Sequence, residues 1–403
     1  MVRSNPSATS TALMSSTAES TTSPFHWSEL LPLGLGLIVL AILHFSSLLG
    51  WLLHQPATEV LIGLTVLSGI VLWIAKGITE QAEDLAVVLG EPYGTLVLTG
   101  SVITIEVALL ANTMLTGEAN PTLARDSMFA VLMISLTGVK GISLLVASNQ
   151  QERGLTSPVQ VEDLASRNMT GSLTYINLIT TMSVLALIVP NFSRSTQSAN
   201  FSTPLNIVLC IVATGVYSIF LAYQVGSYRQ LFMEAPSQSM RLAAALQGKT
   251  AESGSERPLW QISTLLVSGL LILVFISESV GKLIERGISE LGLPSSIAGV
   301  LVAMLILAPE ALNAIQAAGK GELQRTLNTI YGAALSTISL TVPAVLIIGE
   351  LTHTNVILGL EPFEMVMLAL TLLLVRPLHS RVNGLDGVML LVVFLFWIAL
   401  QIA

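Results

Sequence analysis

Two glutamates stand where a charge is expensive. Glu106 is the only charged residue between Gly94 and Thr116, and Glu310 is the only one between Ser295 and Ala318. Both stretches are otherwise apolar. A charged side chain at the centre of a bilayer costs roughly 2.5–3.5 kcal/mol on the insertion scale, unless it holds a proton or a cation. Two carboxyls at matching depth can share one site, in which H⁺ and a metal compete for the same oxygens. A hard cation such as Ca²⁺ needs several oxygen ligands, of which carboxylates supply the charge. Pro309 directly precedes Glu310. A mid-helix proline frees a backbone carbonyl one turn earlier, and at this depth such a carbonyl is tolerated only where it lines a cavity. Freed carbonyls also complete cation sites in transporters. The alternative is structural, with a proline kink and glutamates hydrogen-bonded to neighbouring helices for packing.

Nearby polar residues extend this set. Thr99 lies seven residues before Glu106 on the same helix face, and Asn313 follows Glu310 by three. Ser135 and Ser336 fall on the helices that come next in each half. All four can equally serve in ordinary interhelical hydrogen bonds. Glu80 and Glu278 stand near span ends, where they either guide ions or sit solvated at the membrane edge. Cys210 is the single cysteine and lies in an apolar segment, which excludes intrachain disulfides and a cysteine metal cluster.

The elements that must carry these residues are helices in a membrane. Of the 403 residues, 52% are hydrophobic and only 10% charged, where a soluble domain carries about 25% charged residues. Mean hydropathy is +0.77. Long apolar stretches recur from residue 31 to the C-terminus, and the ten-residue alternation of a β-barrel is absent. The expected fold is an all-α polytopic membrane protein with about eleven transmembrane helices. The spans are 31–53, 57–76, 94–116, 125–148, 172–190, 203–224, 259–279, 295–318, 325–348, 361–376 and 386–403. Residues 77–92 and 281–294 are amphipathic and should prolong the helices before them. Residues 1–30, rich in Ser and Thr, read as a disordered tail rather than a cleaved signal peptide. The polar stretch 225–258 reads as a cytoplasmic connector. This order places twelve of the 17 Lys and Arg residues on the side of the N-terminus and four on the other, with Lys140 inside a span. The N-terminus is therefore expected in the cytoplasm.

The two halves repeat. Gly90 and Gly292 open "GEP" and "GLP" before an apolar span, the glutamates follow, and Arg125 and Arg325 begin the next span. These landmarks recur at separations of 202, 204 and 200 residues. Five spans per half is an odd number, so the second copy crosses the membrane inverted. Inverted repeats mark secondary transporters, with the site at the midplane where the repeats meet. The division expected is an extra helix at 31–53, a first inverted repeat at 57–224 and a second at 259–403. Twelve or thirteen residues into its span, each glutamate lies about 18–20 Å into a roughly 30 Å core.

Two stretches, "LGEPYGTLVLTGSVITIEVALLA" (89–111) and "GLPSSIAGVLVAMLILAPEALNAIQAAGKGELQRTLNTIYGAALSTISLTVP" (292–343), carry a resemblance. The chain resembles the calcium/cation antiporter superfamily, specifically its bacterial ChaA-type calcium/proton antiporters. The resemblance implies one essential acidic residue on the first helix of each repeat, which would be Glu106 and Glu310, acting as the ligands for metal and proton. Related plant and fungal exchangers use Gly-Asn-Ala-(Thr/Ala)-Glu, where this chain has Val102-Ile103-Thr104-Ile105-Glu106 and Ile306-Leu307-Ala308-Pro309-Glu310. The implied function is exchange of Ca²⁺, with Na⁺ or K⁺ as alternatives, for H⁺ across a bacterial cytoplasmic membrane. No resident cofactor and no nucleic acid are expected. The partners are the transported ions and the lipid bilayer, and a homo-oligomer is left open. A passive cation channel is the first alternative. An intramembrane carboxylate enzyme is a distant one, because His26, His44, His54, His353 and His379 are scattered near span ends without a metal-binding spacing.

Overall fold

The computed structural model describes residues 27–89, 93–116, 121–152, 158–193, 199–226, 228–232, 258–294, 296–377 and 384–402. These residues form helices and connecting turns, with no strand among them. Eight helices are long and apolar enough to cross a bilayer, and the shorter apolar helices Leu30–Phe45, Thr99–Met114 and Pro362–Leu374 bring the number to the eleven expected. The tail at 1–26 and most of the connector, 233–257, lie outside the described residues.

The first span differs from expectation at both ends. Helix α1 (Trp27–Phe45) begins inside the stretch read as tail and stops short of residue 53, and a separate short helix, α2 (Leu48–Leu53), follows. The break is made by serine. Ser46 Oγ donates to the Ile42 carbonyl at 2.5 Å and accepts from the Leu48 N–H at 3.2 Å, so a side chain replaces one turn of the backbone ladder.

Helix α3 (Ala57–Leu89) absorbs the amphipathic stretch as expected, as does α9 (Leu259–Leu291), and both are 33 residues long. Gly292 ends α9 in the left-handed conformation at φ 62°, with Leu293 N–H bonded to the Ile288 carbonyl at 3.1 Å. Only glycine takes that backbone cheaply, and Pro294 then blocks continuation. The two glutamates ride on α4 (Tyr93–Thr116) and α10 (Ser296–Gly319), each 24 residues. The following span is interrupted in both halves. Helix α5 (Leu123–Met133) passes through a wide π turn (Ile134–Val139) into α6 (Lys140–Glu152). Helix α11 (Leu323–Ser336) passes through another (Thr337–Thr341) into α12 (Val342–Thr352). The remaining helices are α7 (Pro158–Ser183), α8 (Thr203–Val225), α13 (Pro362–Leu374) and α14 (Gly384–Ile402). Helix α7 starts 14 residues before the expected span and ends in a π turn (Val184–Ile188) and a 3₁₀ turn (Val189–Phe192).

The interrupted spans form the centre. Of the apolar windows in 123–149 and 323–352, 78% and 67% of residues are buried, against 22% in α8 and 28% in α14, whose outer faces are left for lipid. Helices α3, α9 and α4 pack on one another, and α10 packs on α5. In lipid, apolar burial does not drive helices together, so close backbone approach and polar contacts do. At Gly299 of α10 an added Cβ would lie 2.7 Å from the backbone of Asp126 and Ser127 in α5. At Gly387 of α14 it would lie 2.8 Å from the Gly141 carbonyl of α6.

Candidate functional site

Glu106 is buried, 2% exposed. Its Oε2 accepts a hydrogen bond from Thr337 Oγ1 at 3.0 Å, across the boundary between the two halves of the chain. Thr341 faces the same carboxyl without closing a hydrogen bond, and Glu106 Oε1 has no partner. Both threonines lie on the π turn at 337–341. A π turn widens the helix by one residue and re-aims its side chains, which is why such turns gather at functional sites. Glu310 lies near enough for a charge on one carboxyl to act on the other. It is half-buried, and its Oε2 is enclosed without a partner. Helix α10 stays wound through Pro309. The proline, lacking an N–H, leaves the Leu305 carbonyl without its helical donor.

The other sequence-derived residues separate into two groups. Thr99 is half-buried and faces the Tyr217 hydroxyl of α8 without closing a hydrogen bond. Asn313 Oδ1 accepts from Arg325 at 3.4 Å. Ser135 donates to Val131 at 2.6 Å and Ser336 to Ala333 at 3.0 Å, both carbonyls of their own helices. Glu80 pairs with Lys76 at 3.7 Å and Glu278 with Lys282 at 2.7 Å, on exposed helix edges. The structure thus brings Glu106 and Glu310 together and leaves these six in local contacts.

Thr337 and Thr341 fall outside the sequence-derived set, although the sequence carries a signal for them. The tetrapeptide Ile-Ser-Leu-Thr occurs at 134–137 and at 338–341, separated by 204 residues, the same separation as the two glutamates. In that register Thr341 corresponds to Thr137, Ser339 to Ser135, and Thr337 to Met133. Glu106 therefore faces a hydroxyl donor at a position where the other half carries a thioether. Lys140, buried within the fourth span, lies beyond the first π turn. Its Nζ donates to the Val375 carbonyl at the end of α13 at 2.5 Å, and sits 5.4 Å from the Tyr331 ring centre.

Among the described residues no three His, Cys, Asp or Glu side chains cluster as a metal site. A cation held by the two glutamates would take its further oxygens from hydroxyls, carbonyls and water, as hard cations do.

The sodium/calcium exchanger protein family matches this chain over residues 59–226 and again over 262–403. The chain belongs to that family. The sodium-potassium/proton antiporter ChaA of Escherichia coli (strain K12) is 31% identical over 83% of this chain and 86% of its own. A Ca²⁺/H⁺ antiporter of Synechocystis sp. (strain ATCC 27184 / PCC 6803 / Kazusa) is 23% identical over 89% and 94%. The crystal structure of the Ca²⁺/H⁺ antiporter protein YfkE superposes with a TM-score of 0.62 over 93% of this chain and 98% of that one, at 17% identity, and so shares the fold. This exchanger-family chain is a multi-pass membrane protein.

Proposed function

We propose that the protein is a secondary antiporter exchanging Ca²⁺, or alternatively Na⁺ or K⁺, for H⁺, with Glu106 and Glu310 alternately protonated and cation-bound. One observation carries this reading. Two carboxyls from separate halves of the chain lie near enough inside the bundle for a charge on one to act on the other, and each keeps one enclosed oxygen without a hydrogen-bond partner. Such oxygens are costly unless a proton or a cation occupies them. The relatives' names support the same class of reaction, one a sodium-potassium/proton and one a Ca²⁺/H⁺ antiporter. The proposal includes inverted repeats at 57–224 and 259–403. It is supported by the paired helix lengths, the paired π turns and a family match that falls on each half. The basic-residue bias supports a cytoplasmic N-terminus.

The test is reconstitution into vesicles with an imposed pH gradient, following lumenal pH as Ca²⁺, Na⁺ and K⁺ are added in turn. A cation that drives protons uphill identifies the exchange and its substrate. Cation movement that never drives protons would leave a passive channel.

A further inference from the structure

The turn that leaves α8 folds back into the bundle instead of running off into the connector. Tyr228, Leu231 and Phe232 N–H groups bond to Tyr223, Tyr228 and Arg229 carbonyls at 2.9–3.1 Å, a tight reversal that returns the chain to the helices. Phe232 is buried, its ring 5.4 Å from Tyr175 and 5.7 Å from Phe220, both edge-on. Asn328 of α11 donates from Nδ2 to the Phe232 carbonyl at 2.5 Å, and Gln324 holds Asn328 through its Oδ1 at 2.8 Å. Beside Gln324, Gly171 of α7 admits the Leu231 carbonyl so closely that a Cβ there would sit 2.7 Å from it. Three helices are thus shaped around five residues of a turn.

The same aromatic cluster continues toward the site. Phe220 is 6.3 Å from Tyr217, and Tyr217 faces Thr99. Thr99 stands two turns from Glu106 on one face of α4, because seven residues are nearly two whole turns. Span counting puts the start of α4, the end of α8 and the start of α11 at one membrane face, the face from which the connector emerges.

We propose that residues 228–232 form a plug, positioned by Asn328, that closes the path from the connector face along the Thr99 side of α4 to Glu106. It rests on the antiport reading for its purpose, since alternate exposure of the glutamates needs a barrier that opens on one face at a time. Phe232 and the rings around it fill the path, and Asn328 and Gly171 fix the turn's depth. Undocking the turn exposes Thr99 to water from that face.

The test reads exposure directly. In the full-length protein with Cys210→Ser, a Thr99→Cys reporter is reacted with a membrane-impermeant maleimide added to one face or the other of sealed vesicles. Labelling follows the population of the open form when opening is fast. The parent should label slowly from the connector face. Phe232→Ala, and separately the near-isosteric Asn328→Asp, which sets an oxygen against the Phe232 carbonyl, should each raise that rate about tenfold, equal to about 1.4 kcal/mol less closing energy. Labelling from the other face should not change. An unchanged rate in either folded variant overturns the plug, as does fast labelling of the parent, or an equal rise from both faces. Because the readout needs no transport, failure of cation-driven proton flux in the unaltered protein would refute the antiport reading separately.

Discussion

At the scale of single residues, the unequal surroundings of the two glutamates matter most. Each keeps one enclosed oxygen without a partner, but only at Glu106 does a hydroxyl from the opposite half donate to the other oxygen. If both serve one exchange, Glu106→Gln and Glu310→Gln each abolish cation-driven proton flux. The protein should still insert and elute as a single species, because the amide keeps the volume and removes only the titrating oxygen. Retained flux in either purified variant would sink the two-carboxylate mechanism. Thr337→Val removes the donor while keeping the shape. A hydrogen bond to a charged group contributes about 1.5–3 kcal/mol, so the driving cation's apparent affinity should fall about tenfold or more, measured as its half-saturating concentration at fixed pH. Thr104, two residues from Glu106 and bonded to its own helix at Gly100, supplies a control. Thr104→Val should leave that concentration unchanged.

At the scale of elements, the site depends on the packing of helices that carry none of its residues. Lys140 joins α6 to the end of α13, where a buried helix terminus would otherwise leave the Val375 carbonyl bare. Lys140→Ala should lower stability by about 1–3 kcal/mol, the cost of an unsatisfied buried acceptor, seen as a lower midpoint in thermal unfolding in detergent. At the opposite face Arg125 ties the start of α5 to the approach to α13. It bonds Asp126 at 2.7 Å and the Gly359 carbonyl at 3.0 Å, with Glu361 and Glu364 at 3.9 and 4.0 Å. Gly299 lets α10 meet α5 beside this cluster. Gly299→Val places a branched side chain against backbone, and overpacking of this kind typically costs about 1–3 kcal/mol. The same unfolding measurement checks it, with Gly332→Ala, which meets open space, as the tolerated comparison.

At the scale of the whole molecule, a single shared site makes a prediction that separate pathways do not. Two transported cations must exclude each other, so proton flux in saturating mixtures of Ca²⁺ and Na⁺ should not exceed the larger of the two separate fluxes. Additive fluxes, read from lumenal pH in the same vesicles, would require two independent sites. The architecture favours exclusion, since the carboxyl of Glu106 is itself tied across the boundary between the halves by Thr337, on the side where Glu310 acts on it.

Much of this was legible in the sequence, because a bilayer leaves few choices. Backbone groups in lipid must be satisfied within the segment, so apolar length alone predicts helices, and the described residues contain eight of spanning length and three shorter apolar ones. The cost of charge in lipid singled out Glu106 and Glu310, and their common spacing related the halves. Hydropathy could not show the break at Ser46, because a serine bonding to its own helix is no less apolar in its neighbours. Nor could it show the π turns, which depend on how one helix crosses others, or the selection of Thr337 over Ser135 and Ser336. Hydroxyls in a membrane helix default to the carbonyl four residues back. Only the approach of α4 to the second π turn turns one of them toward a carboxylate, and that approach exists only once the two halves have packed.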